Sequence, residues 1–137
     1  MPSQDGSPAP SFEVRLQAQP DSAFMLRQRL SFWLDEVGAQ EDDVFALSVA
    51  VTEAFANAVE HPHEPKGSTI VVDGNLVDHT VTVTVRDSGS WRTKRKRRES
   101  GGYGLDLMRR LMDSMDIDTG SNGTSITLRR HLHDGCR

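Results

Sequence analysis

One cysteine, one tyrosine and two tryptophans are all that this 137-residue sequence holds of those residue types. The single Cys136 stands next to the C-terminus, so no internal disulfide can staple the chain. No apolar run approaches the roughly 20 residues that a membrane-spanning helix needs. The start, Met1 to Ser11, is polar and rich in Pro, Ser and Gly, without the basic stretch and apolar core of a secretory signal. A flexible tail over 1–11 and a cytoplasmic location are the expectations. Positive charge is not in excess: 16 Lys and Arg against 20 Asp and Glu give a net charge of −4, which argues against a general nucleic-acid binder. The pairs His61/His63 and His131/His133 lack further cysteines or clustered carboxylates at ligand spacing, which argues against zinc.

What is present is a globular composition, 36% hydrophobic and 26% charged, of a length that suits one core. One domain over 12–132 is expected, with a short tail over 133–137. Phe12, Val14, Leu16 and Ala18 alternate with polar residues and predict a first strand. Pro20-Asp21-Ser22 opens a helix with apolar positions at Phe24, Leu26, Leu30, Phe32, Trp33 and Val37, ended by Gly38. Glu41, Asp42 and Asp43 place negative charge where the dipole of a second helix favours it, and Pro62 limits that helix to about His61. Ser68 to Val77 and Thr80 to Arg86 predict two strands joined by a turn at Asp78-His79. A third helix is predicted from Leu105 to about Met112. Two last strands follow, Met115 to Asp118 and one through Ile126 and Leu128, with a turn at Gly120 to Gly123 between them. This order predicts an α+β fold: a two-layer α/β sandwich with a mixed, mainly antiparallel sheet and its helices on one face.

The second helix is apolar almost all round between Ala46 and Val59, which marks a buried helix. Glu53 and Asn57 interrupt it at i, i+4 and share one face, with His61 a turn further on. A carboxylate buried without a partner is costly, so this pair marks either a functional site or a helix edge in water. Asp87-Ser88-Gly89 closes a strand; it is either turn chemistry or a carboxylate placed to accept from a base amine. Gly101-Gly102-Tyr103-Gly104 leads into a helix N-terminus, whose free N–H groups suit phosphate. No Gly-Lys-Ser/Thr follows, so it is not a Walker A loop, and it does not follow a strand as a dinucleotide fingerprint would. Asn122-Gly123-Thr124 opens the final strand.

The order of these pieces is more specific than any one of them. Glu-x-x-x-Asn, Asp-x-Gly, Gly-x-Gly and Gly-Thr, in that sequence, resemble the nucleotide site of the GHKL (Bergerat-fold) ATPase superfamily. The stretches from Val51 to His61 and from Gly102 to Met108 are most similar to serine-kinase anti-sigma factors of the RsbW and SpoIIAB type. The resemblance runs from about Phe12 to Leu132. It implies a Bergerat ATP-binding fold, the cofactors ATP and Mg²⁺, and two protein partners, a sigma factor and its serine-bearing antagonist. It further implies a homodimer through the first strand and helix. By the same resemblance, Asn57 ligates Mg²⁺ and Glu53 is the general base. Asp87, Gly89 and Thr124 line the adenine pocket, Gly102, Gly104 and Leu105 lie at the phosphates, and Arg27 contacts the protein partner.

The sequence also departs from the family pattern. Ser90 and Trp91 stand where a second glycine is common, Pro62 replaces a glycine, and no lid arginine aligns near Ser100. A docking switch without catalysis therefore stays open beside the kinase, as does a histidine-kinase catalytic domain. The run Arg92-Thr93-Lys94-Arg95-Lys96-Arg97-Arg98 has three readings: a solvated lid, a cationic clamp on triphosphate or an acidic partner, or a nucleic-acid contact.

Overall fold

Alternation builds the sheet. In the computed structural model, which describes residues 10–60, 69–87, 102–120 and 123–133, β1 (Phe12–Gln17) buries every second side chain and exposes the others. The same period of two runs through β2 (Thr69–Val77), β3 (Thr80–Asp87) and β5 (Gly123–His131). β4 (Ser114–Gly120) completes five strands in the order β1-β2-β3-β5-β4. Every neighbouring pair is antiparallel, so the sheet is not mixed at the level of pairing. β3 and β4 do run the same way, but β5 lies between them and is antiparallel to both. Asp78 and His79 turn the β2–β3 hairpin with φ of 51° and 67°, the left-handed pair that a tight two-residue loop requires.

Three helices cover the inward face of the sheet: α1 (Ser22–Glu36), α2 (Glu41–Glu60) and α3 (Gly102–Leu111). α1 packs on β1, α2 on β3 and β5, and α3 on α2 and β4. Gly38, at φ 85°, ends α1: its N–H donates to the Asp35 carbonyl while Ala39 N–H reaches back to Leu34. The core runs from Leu26, Leu30 and Leu34 of α1 through Leu47, Val51 and Phe55 of α2 to Val72, Val83 and Leu128 of the sheet. At the β1 edge Trp33 stacks on Phe12 at 5.4 Å, and its Nε1 donates to the Pro10 carbonyl. Gly74 makes room for this ring, since a Cβ there would stand 3.1 Å from the indole.

The helical periods hold with three adjustments. Phe24 and Phe32, two of the apolar positions of α1, are exposed rather than part of the core. α2 is not sealed all round, because Ala56 faces solvent. α3 starts at Gly102 rather than Leu105, so the glycines form its first turn.

Asp43 does more than answer the α2 dipole. It is fully buried, and its carboxylate accepts from Arg130 Nε at 2.8 Å and from the His133 backbone N–H at 2.8 Å, with His133 Nδ1 at 3.1 Å. Arg130 Nη1 also donates to the Leu111 carbonyl at the end of α3. One carboxylate thus ties the start of α2 to β5 and, through Arg130, to α3. Burial pushes this carboxyl up, but the His133 N–H and the Arg130 guanidinium outweigh it and hold the group below its ordinary value of 3.8.

A group whose folded pKa is depressed stabilises the fold above its unfolded pKa and loses that contribution as pH falls through the folded one. Asp43→Asn leaves the Arg130 guanidinium, largely buried, without its counter-charge, a loss expected near 3 kcal/mol at neutral pH. In urea unfolding, the gap between wild type and variant should stay level at neutral pH. It should then close as pH drops below 3.8. A gap that does not change with acid would show that the charge is not what matters.

Candidate functional site

Two contacts assemble most of the residues singled out in the sequence. The first joins α2 to α3. The Glu53 carboxylate lies against Gly104, where an added Cβ would stand 2.8 Å from Oε2 and 3.2 Å from Cγ. With glycine there the carboxylate approaches the backbone of the first turn of α3 without having to shift, which a side chain at 104 would require. Asn57 follows Glu53 by four residues on the same helix, and both are half-buried. Leu105 is partly buried and packs against the core beside Gly104.

The second contact joins β3 to β5. Asp87, the last residue of β3, is the register partner of Thr124, near the start of β5. Directly paired residues in antiparallel strands project to the same face. Here it is the inward one, since Asp87 stands two residues beyond the buried Val85 and Thr124 two residues before the buried Ile126. Thr124 is only 5% exposed, and its Oγ1 has no hydrogen-bond partner among the described residues. A buried hydroxyl left in that condition costs roughly 1–3 kcal/mol, so the position favours a ligand that can satisfy it. Thr52 Oγ1, one residue before Glu53, is in the same condition.

The two contacts offer an acceptor-only carboxylate opposite an unsatisfied hydroxyl on the sheet, and a second carboxylate and an amide on one helix. The glycine turn at the N-terminus of α3 adds backbone N–H groups. A purine carrying an amine and a phosphate chain held through a hard cation fit this donor set. Arg27 is exposed on α1, the helix that packs on β1 and α2. Gly89, His61 and the basic run Arg92–Arg98 lie outside the described residues. The Thr124 state is missed by sequence reasoning, since it depends on the β3–β5 register. The Asp43–Arg130 tie is missed as well, because its partners stand 87 residues apart. No helix among the described residues is long and apolar enough to cross a membrane.

If Thr124 Oγ1 has nothing to bond in the protein alone, replacing it by a methyl should cost no stability. Thr124→Val is expected to leave urea unfolding unchanged or to raise stability by up to about 1 kcal/mol. A loss of about 1 kcal/mol or more would mean that the hydroxyl is already satisfied.

The comparisons with known proteins bear on the family and the fold. A family model described as a histidine kinase-like ATPase domain matches residues 16–130. The serine-protein kinase RsbW of Bacillus velezensis is 28% identical over 137 aligned residues, covering 88% of this chain and 85% of the relative. The anti-sigma F factor of Bacillus licheniformis is 26% identical, covering 87% of this chain and 90% of the relative. Among solved structures, the RsbU and RsbW domains of a Mycobacterium tuberculosis protein superpose with a TM-score of 0.79 at 30% identity, covering 96% of this chain and 35% of that longer one. With the three described helices, strands β2 to β4 and nearly all of β5 inside the matched span, the chain belongs to the histidine kinase-like ATPase domain family.

Proposed function

We propose that this chain binds Mg-ATP, phosphorylates a serine on an antagonist protein and sequesters a sigma factor. The observation that carries the nucleotide reading is the Asp87–Thr124 register pair with its unsatisfied buried hydroxyl, found in a chain of an ATPase family. The similarity to proteins named serine-protein kinase RsbW and anti-sigma F factor supports the partner reading.

On this reading Asp87 accepts from the adenine amine, and Thr124 and Gly89 complete the base pocket. Asn57 offers its amide oxygen to Mg²⁺. Gly102 and Gly104 turn backbone N–H groups towards the phosphates, with Leu105 anchoring that turn in the core. Bound ATP supplies the γ-phosphoryl group for a partner hydroxyl. Glu53 accepts the proton of that serine, and Gly104 seats its carboxylate by leaving the space beside it empty. Most of the work in such a transfer is positioning and charge neutralisation, so one base on a rigid helix is sufficient protein chemistry. Arg27, on the exposed side of α1, contacts the protein partner. A docking switch without catalysis remains the rival, favoured by the lack of an aligned lid arginine.

Binding and catalysis separate by mutation. ATP binding should require a divalent cation, and Asn57→Ala should abolish it in calorimetric titration while leaving the melting curve in place; equal affinities of wild type and variant would remove Asn57 from the metal site. Glu53→Gln should keep ATP and partner affinity but slow transfer of labelled phosphate to the antagonist by about two to four orders of magnitude. Equal transfer rates for wild type and Glu53→Gln would remove Glu53 as the base. No transfer by wild type, with ATP still bound, would favour the docking switch.

A further inference from the structure

Three of the five phenylalanines are not in the core. Phe24, Phe32 and Phe45 are 61%, 70% and 67% exposed, and all three lie on α1 and α2. Scattered exposed apolar residues need no explanation, whereas aromatic residues gathered at one place on a helical layer mark an interaction surface. Phe32 and Phe45 line one groove of about 890 Å³ between α1 and the first half of α2, together with Ala39 and Val44. That is room for several partner side chains at once. Asp35 and Glu41 also line it, and no Lys or Arg does among the described residues.

The groove is separate from the Glu53–Gly104 contact. Its walls come from α1, the α1–α2 connection and α2 as far as Ser48, and none comes from α3 or the sheet. Its chemistry selects an occupant. The aromatic rings call for an apolar segment, since large apolar anchors in grooves carry most of the affinity of such contacts. The two carboxylates reject acidic flanks and favour basic ones. A second copy of this chain, which carries the same two carboxylates and no Lys or Arg among the described residues of this groove, is the other occupant, and sedimentation tests it. We infer that this groove docks a partner protein through an apolar helical segment flanked by lysine or arginine, laid between α1 and α2. The inference names a partner chemistry that the kinase reading leaves open, yet it shares no residue with the nucleotide site and can fail independently of it.

The test uses the whole chain and two labelled synthetic peptides with the same leucine stripe, one flanked by lysines and the other by glutamates. In fluorescence anisotropy the lysine-flanked peptide should bind and weaken as salt rises, and the glutamate-flanked one should not bind. Phe45→Ser, and separately Phe32→Ser, should weaken binding about tenfold or more. Asp35→Lys combined with Glu41→Lys should reverse the peptide preference. All four positions are exposed, so ATP affinity should match wild type in every variant, and the melting curves should match in the phenylalanine variants. Glu41→Lys loses the favourable charge at the start of α2 and should melt slightly earlier. Equal binding of both peptides, binding of neither, or wild-type affinity in both phenylalanine variants would overturn the inference. Sedimentation showing a dimer that Phe45→Ser dissolves would overturn it too, because a second copy would then fill the groove.

Discussion

The seat of α2 over the middle of the sheet is the constraint on which the rest of the molecule depends. Leu47, Ala50, Val51, Ala54, Phe55 and Ala58 are buried, and the helix packs on β3 and β5, the third and fourth strands in the sheet order. The small side chains of Ala50, Ala54 and Ala58 let the helix axis approach the strands closely, and Phe55 and Leu47 fill the space on either side. Once that axis is set, the i, i+4 pair Glu53 and Asn57 can only lie on the flank where α3 passes. At its start the helix is held by Asp43, through Arg130 on β5 and the Leu111 carbonyl of α3. The elements that carry the candidate site are thus the ones that the core and this buried ion pair hold most firmly.

Two separate surfaces result from one layered arrangement. Strand ends and the α3 turn make the inner site, where Asp87 and Thr124 meet by register and Glu53 meets Gly104 by close approach. α1 and the first half of α2 make an outer surface of exposed aromatic rings and carboxylates. α2 takes part in both, with its early residues outside and its later ones inside. A protein that must hold a nucleotide and another protein together gains from such a division, since neither ligand competes for the other's contacts.

Much of this was legible in the sequence where local rules decide. The strict alternation of Val81, Val83 and Val85 predicts an inward face, and the structure shows it. Gly38 as the end of α1 and Asp78-His79 as a turn follow from backbone preference, and both hold with positive φ. The order of Glu53, Asn57, Asp87, Gly104 and Thr124 suggests one site, and the structure sets Glu53 against Gly104 and Asp87 opposite Thr124. What was not legible depends on partners far along the chain. Asp43 looks like an ordinary first-turn acid, yet its ligands are 87 and 90 residues away. Phe24 and Phe32 fit the helical period as well as Leu26 and Leu30 do, and periodicity alone does not tell a core position from a docking one. Glycine's low helix propensity favours a start of α3 after its glycines, whereas the helix begins at Gly102 and Gly104 lies in its first turn beside Glu53.

The central claim is that Asp87 and Thr124 form the floor of an adenine pocket. An ionised carboxylate only accepts hydrogen bonds, so it suits the amine of adenine and opposes the carbonyl that guanine carries at the same place. Calorimetric titration of the whole chain with Mg-ATP and with Mg-GTP tests this directly. ATP should bind, and GTP should bind about a hundredfold more weakly, the cost of facing two acceptors in a buried site. Equal affinity for the two nucleotides, or no affinity for either, would contradict the account.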